Sequence, residues 1–310
     1  MMSKIQKKDN WWTTFKKNWQ LLLLCIPALT IYILFDYVPM FGVVMAFKKY
    51  RYNTGIFGSE WCGFDNFRYL FDSIVLWRIT RNTVLYSVLF LVVTLSTQMI
   101  IALLFYEINN RSSLKIYQTC FQLPRFMSWV VISYISYAIF NPTFGMLNRV
   151  LSFLGMETVD VYRITSVWPW ILTFFENWKT VGAGAMMFYA SLMAIDDSLF
   201  EAAAIDGASR WKQTLHISVP GLVPIVTIMA ILQIGGLFTG DFGLFYQIPQ
   251  NVGMLYPATD IINTYIYRSL ESGNFSAGSA VGLAQSLVGM ILTLLANGVV
   301  RKIAPENAMF

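Results

Sequence analysis

The chain has 310 residues, of which 56% are hydrophobic and only 13% charged, with a positive mean hydropathy and a formal net charge of +5. So little charge at this length excludes an ordinary soluble domain and points to a membrane protein. The basic residues are spread between apolar blocks and form no single face, which fits headgroups and membrane topology and argues against a nucleic-acid partner.

In chain order, a basic segment at 1–19 comes first, with Lys4, Lys7, Lys8, Lys16 and Lys17, and an apolar block follows at about 20–47. Its polarity is that of a signal peptide, yet the block resumes after Asp36 and Pro39 and no small-x-small cleavage pattern follows, so it reads as a retained first span. Residues 48–81 form an aromatic-rich loop with Tyr50, Tyr52, Phe57, Trp61, Phe64, Phe67, Tyr69 and Phe71, expected at the membrane interface. Further apolar blocks fall near 82–106, 119–141, 167–195, 219–240 and 277–300, each reaching the roughly 20 residues that a helix needs to cross a bilayer. Continuous apolar runs at 21–26 and 84–93, with no alternating periodicity, exclude a β-barrel. The expected fold class is an all-α membrane protein with six transmembrane helices and a short tail at 301–310.

Lysine and arginine set the orientation. Segments 1–20, 107–125, 196–218 and 301–310 hold 12 of the 22 basic residues, against 9 in the longer segments 48–81, 141–165 and 240–276. This bias places both termini, and the loop 196–218, in the cytoplasm.

The chain lacks a GxxxxGK[ST] phosphate loop, an HExxH and a CxxC, and its one histidine, His216, excludes a two-histidine metal site. Cys25, Cys62 and Cys120 lie far apart, with no spacing that suggests a disulfide framework or a metal site. The glycine-rich "IGGLFTGDFG" at 234–243 has no lysine or hydroxyl placed to hold a nucleotide and reads as a turn at the membrane edge. No catalytic constellation, metal site or bound cofactor is expected. The longest cytoplasmic piece, about 23 residues, is too short to bury a nucleotide site, so any use of ATP falls to another subunit.

That piece contains "EAAAIDGASRWKQTLHISVP" at 201–220. Ser198 followed by Glu201 has the spacing of a capping box, the alanines favour helix, and Asp206-Gly207 offers a break before a second short helix at 208–216 and Pro220. Glu201, Ala202, Ala203, Asp206, Gly207, Ala208, Ile217 and Pro220 together resemble the EAA loop of ATP-binding cassette (ABC) importer permeases, with Val219 where the pattern usually has leucine. "GFDNFRYLF" at 63–71, "NTVLYS" at 82–87, "FNPTFGMLNRVL" at 140–151 and "AVGLAQS" at 280–286 resemble the carbohydrate-uptake branch of that family. "FDYVPMFGVVMAFKKY" at 35–50, "LPRFMSWVV" at 123–131 and "NWKTVG" at 177–182 are similar to its polysaccharide and complex-oligosaccharide subgroup.

The resemblance implies a type I importer transmembrane domain and a set of partners: a second, homologous permease, two cytoplasmic ABC ATPases that bind ATP and Mg, and an extracellular solute-binding protein. The helices around Gly207 would seat in a groove of the ATPase, with Glu201 offering a charge and Trp211 either buried at that contact or anchored among headgroups. The 48–81 loop would help dock the solute-binding protein.

For the sugar pathway, Glu176 and Lys179 share a helical face, as functional charges, as a mutual ion pair, or as side chains snorkelling to headgroups near the outer end. With them, Asn177, Trp178, Tyr189, Gln233 and Gln285 supply the hydrogen bonds and aromatic faces that sugars need. Thr83, Ser87, Thr94 and Gln98 on the second span, and Gly278, Gly282, Gly289 and Thr293 on the sixth, read as helix-packing rows, with ligand contact the alternative. Import of a noncarbohydrate solute is the alternative within transport. A polytopic membrane enzyme would require converging acids or metal ligands, and the sequence holds no such cluster.

Overall fold

A computed structural model describes residues 18–236 and 238–303. Most of the basic segment 1–19 and of the tail 301–310 therefore lies outside the described residues. Helix α1, Trp19–Tyr32, continues through a π-helical turn at Ile33–Tyr37 and a 3-10 turn at Phe41–Phe47. The described side chains of α1 are all exposed, and the first fully buried residue is Ala46, packed near the last helix. A two-residue ribbon pairs Lys48–Lys49 with Glu60–Trp61, antiparallel. It precedes α2, Asp65–Phe71.

Helix α3 runs 33 residues, Ile74–Tyr106, because the Ser73 side chain accepts a hydrogen bond from the Val75 N–H at 3.2 Å and no proline follows to break it. At 1.5 Å per residue it is about 50 Å long, more than the roughly 30 Å hydrocarbon core. The helix begins at 74, ahead of the apolar block expected from 82, since Arg78 and Arg81 hide its first two turns from an apolar window.

The third block does not form one continuous span. Helix α4, Arg111–Gln122, is capped by Asn110, and a 3-10 turn at Leu123–Phe126 contains Pro124. Helix α5, Trp129–Phe140, then leaves at a 99° bend. Pro124 supplies no backbone donor, and Ser128 takes an extended conformation and caps a new helix at the Val131 N–H. After α6, Met146–Phe153, comes α7, Trp168–Leu192, with Pro169 in its first turn, where a missing N–H costs nothing.

Helices α8, Asp197–Ile205, and α9, Arg210–Gln213, form the loop, and α9 continues through a π-helical turn at Thr214–Ser218. Helix α10, Val223–Gly235, follows at a 50° bend beside Pro220 and Pro224. The chain then forms α11, Phe242–Gln247, α12, Ile262–Glu271, and α13, Phe275–Ile303.

Among the described residues, Trp19–Phe47, α3 and α13 are long and apolar enough to cross a membrane, and the two bent pairs qualify when each is taken as one span. Helix α7 has the length, but Glu176, Asn177 and Lys179 interrupt its apolar run. The expected six therefore become three whole helices, two broken ones and one with a polar middle.

Helices α3 and α7 form the central pair, and α4 packs across α7. In lipid, tight packing and close approach hold helices together more than the hydrophobic effect does. Gly182 on α7 meets this need: a Cβ there would stand 2.1 Å from the Phe121 carbonyl oxygen of α4. One buried cluster gathers Tyr86, Trp168, Leu172, Phe175, Leu244 and Ile261, and another at a separate level of α3 and α7 gathers Leu95, Ala102, Phe188, Leu192 and Leu222.

Candidate functional site

Two features stand apart from the packed core. The first is the polar loop between α7 and α10. Asp196 Oδ1 accepts a hydrogen bond from the Ser198 N–H at 2.9 Å, which makes Asp196 the cap and corrects the expected Ser198–Glu201 capping box. The same bond holds the Asp196 carboxyl below the usual aspartate range. Aspartate outcompetes serine here because a negative group also favours the positive helix end. Glu201, released from capping, sits in the second turn and is exposed.

Helix α8 ends in a Schellman arrangement. The Ala208 N–H donates to the Ala203 carbonyl at 2.9 Å and the Gly207 N–H to the Ala204 carbonyl at 3.1 Å, with Gly207 at φ +75°. Gln213, buried, fixes the next turn by donating from Nε2 to the Ala208 carbonyl at 3.1 Å. The second helix does not stop at 216 as expected. It runs from Arg210 to Gly221, because the π-helical turn at Thr214–Ser218 absorbs the change of register.

Phe200 stacks near Tyr106 at 5.9 Å and seats the loop on the end of α3. The opposite side carries Glu201, Ala202 and Asp206, all exposed, with Ile205 86% and Trp211 70% exposed. Ala203 and Ala208 are half-buried beneath them. The result is a rigid, capped helix–turn–helix that presents acids beside large apolar side chains.

The second feature is a cavity of about 370 Å³ between α3, α7, α10 and the segment entering α11. Glu176 and Gln233 line it, as do Thr83, Ser87, Thr94 and Gln98 from the row on α3 read above as packing. Thr180, Thr239 and Asp241 complete its polar wall. Asp241 escaped the sequence reading because it sits in a glycine-rich turn. The available signal was a charge at the edge of an apolar block. Its Oδ1 caps α11 at the Leu244 N–H, and its Oδ2 accepts a 2.6 Å hydrogen bond from Trp129 Nε1.

The other expected pathway residues have different partners. Lys179 donates to the Met127 carbonyl at the α4–α5 break and lies 4.7 Å from the Trp129 ring centre, so no ion pair joins it to Glu176. Asn177 Oδ1 accepts from Thr97 Oγ1 at 2.6 Å, and Trp178 meets Phe175 edge-on. Tyr189 packs against the cluster around Phe188. Gln285 Nε2 donates to the Phe238 carbonyl and to Asn263 Oδ1 at 2.8 Å, tying α13 to α12. Gly278 and Gly282 of α13 lie against Leu270 and Ile266 of α12. Among the described residues no group of three or more His, Cys, Asp or Glu side chains gathers to hold a metal.

Comparison with known proteins gives the family. Protein LplB of Bacillus subtilis (strain 168) is 32% identical over 302 residues, 97% of this chain and 94% of the relative. The polygalacturonan/rhamnogalacturonan transport system permease protein YteP of the same strain is 32% identical over 294 residues, 93% of this chain and 89% of the relative. Among solved structures, a chain of a bacterial ABC transporter involved in the import of the acidic polysaccharide alginate superposes with a TM-score of 0.84 at 29% identity. That match covers 94% of this chain and 99% of the other. Residues 75–306 match the family described as the binding-protein-dependent transport system inner membrane component, and that span contains the α8–α9 loop and the cavity-lining helices. The chain belongs to this family, and is a membrane-embedded transport subunit, not an enzyme.

Proposed function

We propose that the protein is the permease subunit of an ATP-driven oligosaccharide importer. The observation that carries this reading is the capped helix–turn–helix of α8 and α9, which offers a preformed knob for a groove in an ATPase. Glu201, Ala202, Ala203, Asp206, Gly207, Ala208 and Trp211 form its working surface, and motion of the ATPases upon binding MgATP rocks this chain against a second, homologous permease. The exposed face of α1 and the open side of the cavity leave room for that second permease.

Both termini and the α8–α9 loop lie in the cytoplasm in this reading, as the lysine and arginine bias requires. A solute-binding protein delivers the sugar from the other side. A structural relative, solved in complex with an alginate pentasaccharide-bound periplasmic protein, matches at a TM-score of 0.83 and 29% identity and supports that arrangement. The sugar substrate is supported by the names of the relatives and by the hydroxyl- and amide-rich cavity wall.

The test is ATP-dependent uptake of labelled oligosaccharides into proteoliposomes holding the assembled importer, with single cysteines at Glu201 or Trp211 for cross-linking. The expected result is a cross-link to the ATPase and loss of uptake once it forms. An assembled importer that links nowhere near these positions, or carries no oligosaccharide, refutes the proposal.

A further inference from the structure

A groove of about 500 Å³ lies between α3, the entry to α7 and the segment before α12. Leu85 and Leu89 of α3 line it with Pro169, Pro257 and Ala258, and the Tyr86 hydroxyl fixes that wall by donating to the Ala258 carbonyl at 2.8 Å. Among the described residues of the lining, Arg81 is the one charged side chain, and Thr165 and Ser166 supply hydroxyls. Leu85 is 60% exposed, and Val88 and Val92 continue the exposed apolar face one and two turns further along α3.

Arg81 is held in place without being neutralised. Buried Asn82 donates from Nδ2 to the Pro257 carbonyl at 3.1 Å and to the Asp260 carbonyl at 3.0 Å, and its Oδ1 accepts from Arg81 Nη2 at 3.1 Å. An amide oxygen leaves the charge intact, and the ion pairs among the described residues are made by Arg78, Arg163 and Arg268. The other guanidinium donors suit a phosphate, which accepts in the same planar, paired geometry.

Depth separates lipid from other occupants. Helix α3 exceeds the hydrocarbon core by about 20 Å, or about 10 Å at each end when shared equally. Arg81 stands about 10 Å from the start of α3 at Ile74, hence at the edge of the hydrocarbon, with Leu85 and Leu89 about 6 and 12 Å deeper. A cation at that level above an apolar groove matches the order of a phospholipid, phosphate first and acyl chain below.

We propose that this groove binds one anionic phospholipid in the leaflet opposite the α8–α9 loop. Its phosphodiester sits on Arg81 and the Thr165 and Ser166 hydroxyls, and one acyl chain runs along Leu85 and Leu89. A zwitterionic lipid also brings an ammonium, for which the lining holds no acid among the described residues.

The experiment is native mass spectrometry of the full-length protein with its co-purifying subunits, titrated with phosphatidylglycerol or phosphatidylcholine of matched chains. The wild type is expected to hold one phosphatidylglycerol at least about fivefold more tightly than phosphatidylcholine. Arg81→Gln should abolish that preference, and Leu85→Trp, which fills the groove and keeps the charge, should release the tightly held lipid. Arg163→Gln removes equal charge outside the lining and should change neither. Equal binding of the two lipids by the wild type overturns the proposal whatever the variants do. So does a preference kept in Arg81→Gln, a lipid kept in Leu85→Trp, or a preference lost in Arg163→Gln. Displacement of the lipid by glycerophosphate at equal concentration would assign the site to a free phosphate ester. A Leu85→Cys variant that cross-links to a partner subunit, with no lipid retained, would make the groove a protein contact. Either result also overturns the lipid site.

Discussion

Arg268 Nη2 on α12 donates to Asp260 Oδ2 at 2.7 Å, and the Asp260 side chain is fully buried. Arg78 Nη2 on α3 approaches the same oxygen at 3.4 Å, and Thr264 Oγ1 donates to Oδ1 at 2.8 Å. The Arg268 guanidinium also lies 4.0 Å from the Tyr256 ring centre. One carboxylate thus joins α3 to the segment before α12. Removing one partner of a buried pair leaves the other charge uncompensated, at roughly 3–5 kcal/mol. Asp260→Ala should therefore lower the thermal unfolding midpoint of the purified protein sharply, and Arg78→Met much less, because Arg78 is 31% exposed and the longer contact is screened. Equal shifts for the two variants would count against this hierarchy.

Gly182 faces backbone, not a movable side chain. The methyl of Gly182→Ala would meet the Phe121 carbonyl carbon at 2.4 Å as well as its oxygen, so α4 and α7 must separate. Overpacking of this kind costs about 1–3 kcal/mol. The measurement is unfolding in detergent, with Gly289→Ala as the control, since nothing lies within 4 Å of a Cβ there. A Gly182→Ala variant as stable as the control would refute the close-approach argument.

At Gly207 the constraint is conformational alone, since no atom lies within 4 Å of an added Cβ. A residue with a β-carbon pays roughly 1–2 kcal/mol in the left-handed region, and asparagine is the side chain that best tolerates it. ATP-driven uptake should therefore rank wild type above Gly207→Asn, and Gly207→Asn above Gly207→Val, with membrane insertion preserved in all three. Equal uptake in the valine variant would show that the turn does not transmit force.

The Asp196 cap has a pH signature. Its carboxyl is held below the ordinary value by the Ser198 N–H, so the folded state binds its proton less readily than the unfolded state. The stabilisation is complete above the ordinary aspartate range and is lost as the pH falls through that range and then through the lowered folded-state value. The protection factors of the amides in the first turn of α8, taken relative to the intrinsic exchange rate at each pH, should fall on acidification through this window in the wild type and be low at every pH in Asp196→Ala. PH-independent protection in the wild type would exclude the cap as its source.

Much of this molecule is legible in the sequence because bilayer thickness fixes element length. Residues 20–47, 167–195 and 277–300 stand close to the observed helices at Trp19–Phe47, α7 and α13. Breaks were harder to see. A hydropathy average over 119–141 does not register Pro124 and Ser128, which turn the chain through 99°. Gly207 was readable because only a few residues accept its conformation, whereas Asp196 was overlooked because Ser198 offered an equally plausible cap spacing. The row Thr83, Ser87, Thr94 and Gln98 shows a real ambiguity: small polar residues on one helical face serve a tight contact and a cavity wall equally well. Only the position of α7 and α10 decides between them, and that depends on Gly182 and on the bend near Pro220, both far away in sequence.

Ser276 has a consequence for biosynthesis. Its hydroxyl donates to the Lys48 carbonyl at 2.7 Å and accepts from the Tyr50 N–H at 2.9 Å, across 226 to 228 residues. At a synthesis rate of about 5–20 residues per second, the partner for that clasp emerges roughly 10–45 s after the segment it must hold. The opening helix spends this interval in the bilayer with lipid as its neighbour, and a chain cut short before residue 276 would leave its beginning unmoored.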